Sequence, residues 1–149
     1  MRAFLDRACG ARGDSPFLVF RGRTVSYAET GAITDALAAE LVALGVAPGD
    51  RLAVRLPTGP EHLFVWLATA KAGIVSCPLH VDLAVPEIEA ALTHLRPRGF
   101  VDASGEVAIG GTIVGQLSEL MASRRALTGI EAPEPEAIAT ILTTSGTTG

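Results

Sequence analysis

Hydrophobic positions along the chain switch repeatedly between helical and strand spacing, and the switches mark out the elements. Ile33, Leu37, Leu41 and Leu44 recur at steps of four, four and three, which places them on one face of a helix. Ser26 stands three residues before Glu29 at the head of this run, the spacing of a capping box. Gly45 supplies a stop and Pro48-Gly49-Asp50 a turn. Ahead of this helix, residues 2–12 suggest a short helix with Phe4, Leu5 and Ala8 on one face. Phe17–Phe20 and Thr24–Tyr27, either side of Arg21-Gly22-Arg23, read as a hairpin.

Downstream the pattern alternates. Arg51–Leu56 is a predicted strand, Pro60 suits the first turn of a helix through Ala72, and Gly73 ends it. Ile74–Leu79 is a second strand. Pro86 opens a helix through Leu95, with Ile88, Ala91, Leu92 and Leu95 on one side, and Gly99–Ala103 is a third short strand. Strand, helix, strand, helix, strand at these lengths predicts an α/β fold: βαβ units forming a mainly parallel sheet flanked by helices. Gly105–Val114 reads as short strands, Gln116–Arg125 as a helix, Ala132–Glu136 as a loop, and Ala137–Thr143 as an apolar strand. Its 149 residues suit one ordinary domain, spanning 1–149.

Composition changes this picture in one respect. The chain is 48% hydrophobic and 19% charged, with a mean hydropathy of +0.38. That is apolar for a small domain, whose large surface needs polar cover. The longest apolar stretch, Leu63–Leu79, carries Lys71 in its middle and Gly73 just after. It falls short of the roughly 20 apolar residues of a spanning helix. The expectation is therefore no transmembrane segment, and apolar faces covered by the rest of a larger body. The N-terminus lacks the continuous apolar core of a signal peptide, which suggests a cytoplasmic protein. Cys9 and Cys77 have no metal spacing and read as reduced thiols. Net charge is −4 with no basic run, which argues against nucleic acid as a partner.

The candidate chemistry lies at the end of the chain. Thr144, Ser145, Gly146, Thr147, Thr148 and Gly149 offer four hydroxyls and two glycines in six residues, directly after a predicted strand. A polyphosphate is held by backbone N–H groups that approach closely, which glycine permits, and by short neutral donors, which Ser and Thr supply. The carboxyl end of a strand is the usual address for a ligand in an α/β sheet. On composition alone a flexible polar tail remains an equal alternative. No Gly-Lys-Ser/Thr follows, so the run is not a Walker A loop.

Ile141–Gly149, ILTTSGTTG, resembles the phosphate-binding signature of the adenylate-forming superfamily: acyl-CoA synthetases, luciferases and peptide-synthetase adenylation domains. Upstream segments agree in order: VSYAET at Val25–Thr30, LGVAPGDRLAVRLPTGPEH at Leu44–His62, and AKAGIVSCPLHVDL at Ala70–Leu83. The resemblance covers about Ala3–Gly149. It implies an N-terminal portion of the large domain of an acid–CoA ligase. Such enzymes form an acyl-adenylate from a carboxylic acid and Mg-ATP, release pyrophosphate, and pass the acyl group to a thiol, usually coenzyme A. By the same resemblance Thr144 to Gly149 would steady the β- and γ-phosphates. The family's motif lysine, its Thr-Glu pair associated with Mg²⁺, its ribose-binding aspartate, its C-terminal catalytic lysine and its carboxylate pocket would all lie beyond Gly149. The resemblance thus implies a fragment that is inactive alone, with no catalytic or metal-binding residue of its own. Two other readings stay open: a truncated non-catalytic binding module, and a fragment of a peptide-synthetase adenylation domain.

Other polar residues carry plainer readings. His62, His80 and His94 show no metal pattern; His62 falls at a helix start and His80 at the ligand-facing end of a strand. Lys71 suits the C-terminal end of a helix dipole. Trp66 reads as packing, and Glu87 and Glu89 point to different helix faces rather than forming an acid/base pair.

Overall fold

The computed structural model describes residues 2–134 and 136–143. An N-terminal helix, α1 (Arg2–Arg12), precedes a hairpin of β1 (Pro16–Phe20) and β2 (Arg23–Ser26) and the long α2 (Tyr27–Ala43). The sheet-forming part follows as β3 (Arg51–Val54), α3 (Pro60–Ala72), β4 (Val75–Pro78), α4 (Val85–Leu95) and β5 (Gly99–Val101). It closes with β6 (Glu106–Ile109), β7 (Thr112–Gln116) and the short α5 (Leu117–Met121). The five-stranded order is β4-β3-β5-β6-β7, parallel across β4, β3 and β5 and antiparallel beyond. The expected α/β architecture is present, and β6 and β7 extend the parallel part as a meander.

Strand alternation explains why the sheet is covered on both faces. Leu52, Val54 and Val101 point to one side, where α2, α3 and α5 pack through Leu37, Leu41, Val65, Ala68 and Leu120. Ala53, Val75 and Cys77 point to the other, where Leu95, Leu92 and Ala91 of α4 lie. α3 joins β3 to β4 on the first face, while α4 leads from β4 back past β3 to β5 on the second. The winding thus reverses between β3 and β5, the switch point of the sheet, and the loops that follow β3 and β4 leave the same carboxyl edge beside it.

The local signals act as their chemistry dictates. Ser26 Oγ accepts from Glu29 N–H at 3.1 Å, and Glu29 Oε2 accepts from Ser26 N–H at 2.8 Å. These bonds hold the Glu29 carboxyl below its ordinary range. Ser26→Ala is expected to cost about 1 kcal/mol in a denaturant melt, the usual value of an N-cap; an unchanged midpoint would show that tertiary packing alone defines the helix start. Gly73 ends α3 in the left-handed region, φ 71, and its missing side chain leaves room for Pro48 and Pro133 at 3.3 and 3.4 Å from a Cβ.

Several expectations differ in detail. The helical stripe of α2 is broader than Ile33, Leu37, Leu41 and Leu44. Ile33 and Leu44 are half-buried, whereas Thr30, Thr34, Ala36, Ala38 and Ala39 are buried, because α1, α3 and α5 all pack on this helix. The buried threonines are satisfied within the helix: Thr34 Oγ1 donates to Thr30 O at 2.7 Å, and Thr30 Oγ1 to Ser26 O at 2.8 Å. The helix expected over Gln116–Arg125 is only Leu117–Met121. Gln116 belongs to β7, and Ser123 and Arg125 instead reach Glu40, at 2.6 and 3.0 Å. The strand expected over Ala137–Thr143 is reduced to one parallel bridge, Thr140 to Ser76.

Lys71 lies in the last turn of α3, as expected, and has a further role. It is 1% exposed, with Nζ at 2.8 Å from Asp35 and 3.4 Å from Asp6. The ammonium therefore joins α3 to α2 and α1.

Candidate functional site

At the carboxyl ends of β3 and β4 lies a cavity of about 800 Å³. Its floor and walls come from residues just past β3 (Leu56, Thr58), the start of α3 (His62), the turn after β4 (Leu79 to Leu83), one side of α4 (Glu87, Ala91), and Leu142 and Thr143. Every one of these segments leaves the carboxyl end of a strand or faces it, so the topology gathers residues far apart in sequence.

Two histidines line the cavity. His62 Nδ1 lies 3.2 Å from the Leu56 carbonyl. A carbonyl only accepts, so this contact puts the proton of the neutral ring on Nδ1 and leaves Nε2 an acceptor. Asp82 N–H points at His80 Nδ1 at 3.3 Å. The Asp82 carboxylate lies 3.7 Å from the same nitrogen. His80 is exposed and His62 half-buried. Glu87 is taken up by α4, its Oε2 accepting from Ala84 N–H at 2.8 Å, which supports its reading as a helix residue rather than half of an acid/base pair.

Arg55 fixes the cavity's turn. Its Nε and Nη2 both donate to the Val81 carbonyl, at 3.2 and 2.7 Å, while its own N–H bonds Val101 O at 2.8 Å. Sequence reasoning passed over Arg55; the available signal was a charged residue inside an apolar strand run. Near the end of β5, burial alone would raise the Asp102 carboxyl, but bonds from Ser104 and Glu106 and the nearby Arg55 hold it below its ordinary range. Both thiols are pushed up, chiefly by burial, which fits two unreactive reduced cysteines.

Thr144, Ser145, Gly146, Thr147, Thr148 and Gly149 lie outside the described residues. The structure carries the chain as far as Thr143, on the lip of the cavity. Among the described residues no cluster of three His, Cys, Asp or Glu side chains suits a metal ion, and no helix is long and apolar enough to cross a membrane.

Residues 5–149 match the model of the family described as "AMP-binding enzyme". The chain belongs to this family. AMP-binding relatives agree in sequence and in fold. "Protein Y" of Streptomyces griseus is 34% identical over 127 residues, covering 85% of this chain and 41% of its own length. The long-chain-fatty-acid–CoA ligase FadD13 of Mycobacterium tuberculosis is 36% identical over 69 residues, covering 46% of this chain and 14% of that enzyme. The N-terminal subdomain of NpsA from Klebsiella oxytoca, solved with anthranilyl-AMSN, superposes with a TM-score of 0.85 at 25% identity. It covers all of this chain and 38% of that one. The chain thus spans less than half the length of these relatives, and the AMP-binding fold it shares with them is that of an N-terminal subdomain.

Proposed function

We propose that the chain is the N-terminal portion of an ATP-dependent acid–CoA ligase, and that Thr144 to Gly149 hold the β- and γ-phosphates of ATP while a carboxylate attacks the α-phosphate. The observation that carries the proposal is the junction at Thr143. A run of four hydroxyls and two glycines continues directly from residues that lie parallel to β4 and reach the rim of the cavity at the carboxyl ends of β3 and β4. That rim is where strand ends in such sheets receive phosphorylated ligands. Similarity to a fatty-acid–CoA ligase supports a carboxylic acid as substrate and coenzyme A as the acyl acceptor.

In this mechanism the chain performs no covalent step. Hydroxyl and backbone N–H donors at 144–149 stabilise the charge that develops on departing pyrophosphate, and they hold the triphosphate in line for attack. The Thr58 hydroxyl adds a donor on the cavity wall, and the buried Leu56 and Leu79 limit water there. Residues of the remainder of the enzyme, where the resemblance places the Thr-Glu pair, would hold Mg²⁺, which would offset phosphate charge. The remainder of the enzyme supplies the contacts to α-phosphate, ribose and carboxylate.

Carboxylate-dependent exchange of labelled pyrophosphate into ATP tests this reading in the complete enzyme, with long-chain fatty and aromatic acids as substrates. Exchange that depends on acid and Mg²⁺, followed by thioester formation with coenzyme A, is expected. Adenylation with transfer only to a carrier-protein thiol would assign the chain to a peptide synthetase instead. The 149-residue chain assayed alone is expected to give no exchange above a blank; exchange from it would overturn the assignment of the α-phosphate and ribose contacts to downstream residues.

A further inference from the structure

The segment that leads to the 144–149 run is lightly tied to the sheet. Ser76 N–H donates to Ala139 O and Ile141 N–H to Ser76 O, both at 2.9 Å, and Thr140 makes the single bridge. Among the described residues two backbone bonds hold this edge, and such an edge belongs to the part of a fold that opens most readily. Two side chains add to it from opposite faces, as neighbours along an extended segment must. On the α4 side Ile141 packs against the second core cluster. On the α3 side the Trp66 Nε1–H donates to Thr140 Oγ1 at 2.9 Å, across 74 residues of sequence.

Trp66 is well placed to act as a fixed post. It is half-buried on a helix whose Val65, Ala68 and Ala72 are locked into the main core, and its rigid indole has one donor and no acceptor. Thr140 satisfies that donor, and three residues later Thr143 lines the cavity. Trp66 itself is not among the residues that line it.

We infer that Trp66 is a positioning residue whose indole N–H, bonded to Thr140, sets where the chain leaves the sheet edge and passes into residues 144–149. The consequence for catalysis rests on the proposed function; the anchoring itself does not. Loss of the bond loosens the segment without touching substrate. The effect therefore falls on turnover in the adenylating step rather than on affinity for the carboxylic acid.

The variants are Thr140→Val, Thr140→Ser, Trp66→Phe and the Trp66→Phe/Thr140→Val pair. Amide hydrogen exchange is read at Ile141 and, as an internal reference in the sheet, at Arg55. Thr140→Val and Trp66→Phe are each expected to speed exchange at Ile141 about three- to tenfold, the worth of one neutral hydrogen bond, with Arg55 unchanged. Thr140→Ser retains the acceptor and is expected to match the parent. The pair is expected to be no worse than either single change, because both remove the same bond. In the complete enzyme kcat for pyrophosphate exchange is expected to fall by a similar factor in Thr140→Val, with KM for the acid unchanged and Thr140→Ser restoring it. Equal protection of Ile141 in all variants overturns the inference. So does acceleration at Arg55 as well, which marks Trp66 as general packing, and so does a loosened Ile141 with undiminished kcat. An enzyme with no pyrophosphate exchange in its parent form would overturn the proposed function instead, and Ile141 protection would still decide the anchoring.

Discussion

Replacing Ser145 by alanine, or Thr147 by valine, in the complete enzyme is expected to slow the adenylating half-reaction about ten- to a hundredfold. Each hydroxyl, if it holds a pyrophosphate oxygen, supplies a charge-assisted hydrogen bond of about 1.5–3 kcal/mol. That bond strengthens as charge moves onto the leaving group, so its loss is felt in turnover. Transfer of the acyl group from supplied acyl-adenylate takes place with no triphosphate in the site, and it is expected to be much less affected. The melting temperature is expected to stay nearly constant, because both hydrophobic clusters are built from other residues. The decisive measurement is the ratio of the two half-reaction rates in each variant. Equal losses in both, or a fall in melting temperature large enough to account for them, would make the run structural and remove it from phosphate binding.

The second large effect is on stability and concerns Lys71. Lys71→Ala deletes a fully buried four-carbon stem from the junction of α1, α2 and α3, and a cost of about 2–4 kcal/mol is expected. For a domain of this size that lowers the melting temperature by roughly 5–15 °C. Lys71→Met retains most of the stem and removes only the charge. Its expected cost is about 1 kcal/mol or less, because Asp6 and Asp35 are 47% and 44% exposed and can turn to water once the ammonium is gone. Comparing the two melts separates packing from ion pairing. If Lys71→Met were as damaging as Lys71→Ala, the ion pairs would be the main contribution and the reasoning from exposure would fail.

The exposed apolar side chains have a pattern. Ile138 and Leu142 flank the segment on β4's outer edge, Val85 opens α4, and Ile113 lies on the edge strand β7.

Elements set by local chemistry were legible without a structure. The Ser26–Glu29 capping box, the Pro60 start and Gly73 stop of α3, the Arg21-Gly22 hairpin and the alternation of strands with helices depend on residues within a few positions of one another. Each reads correctly because the responsible interaction is short-range. The hydroxyl-rich run at 144–149 was also legible, as a motif of composition, though its placement falls outside the described residues. Short-range signals fail where the partner is distant. Nothing near Lys71 announces Asp6 and Asp35, and nothing near Trp66 announces Thr140. Arg55 and Val81 become neighbours only because β3 and β4 are paired in register. The strand at Ala137–Thr143 shows the same limit from the other side: its sequence is mostly apolar, but ladder length is decided by how much of it lies against β4, and only Thr140 forms a bridge there. Sequence alone thus determined the fold class and the family, since periodicity, caps and motif are written in neighbouring positions, and the assignment of residues 144–149 to phosphate remains a proposal from the motif. Tertiary structure alone decided which charges are buried, where the cavity opens and what ties the chain to its rim, because those depend on pairs brought together by the crossing of β3, α3, β4 and α4.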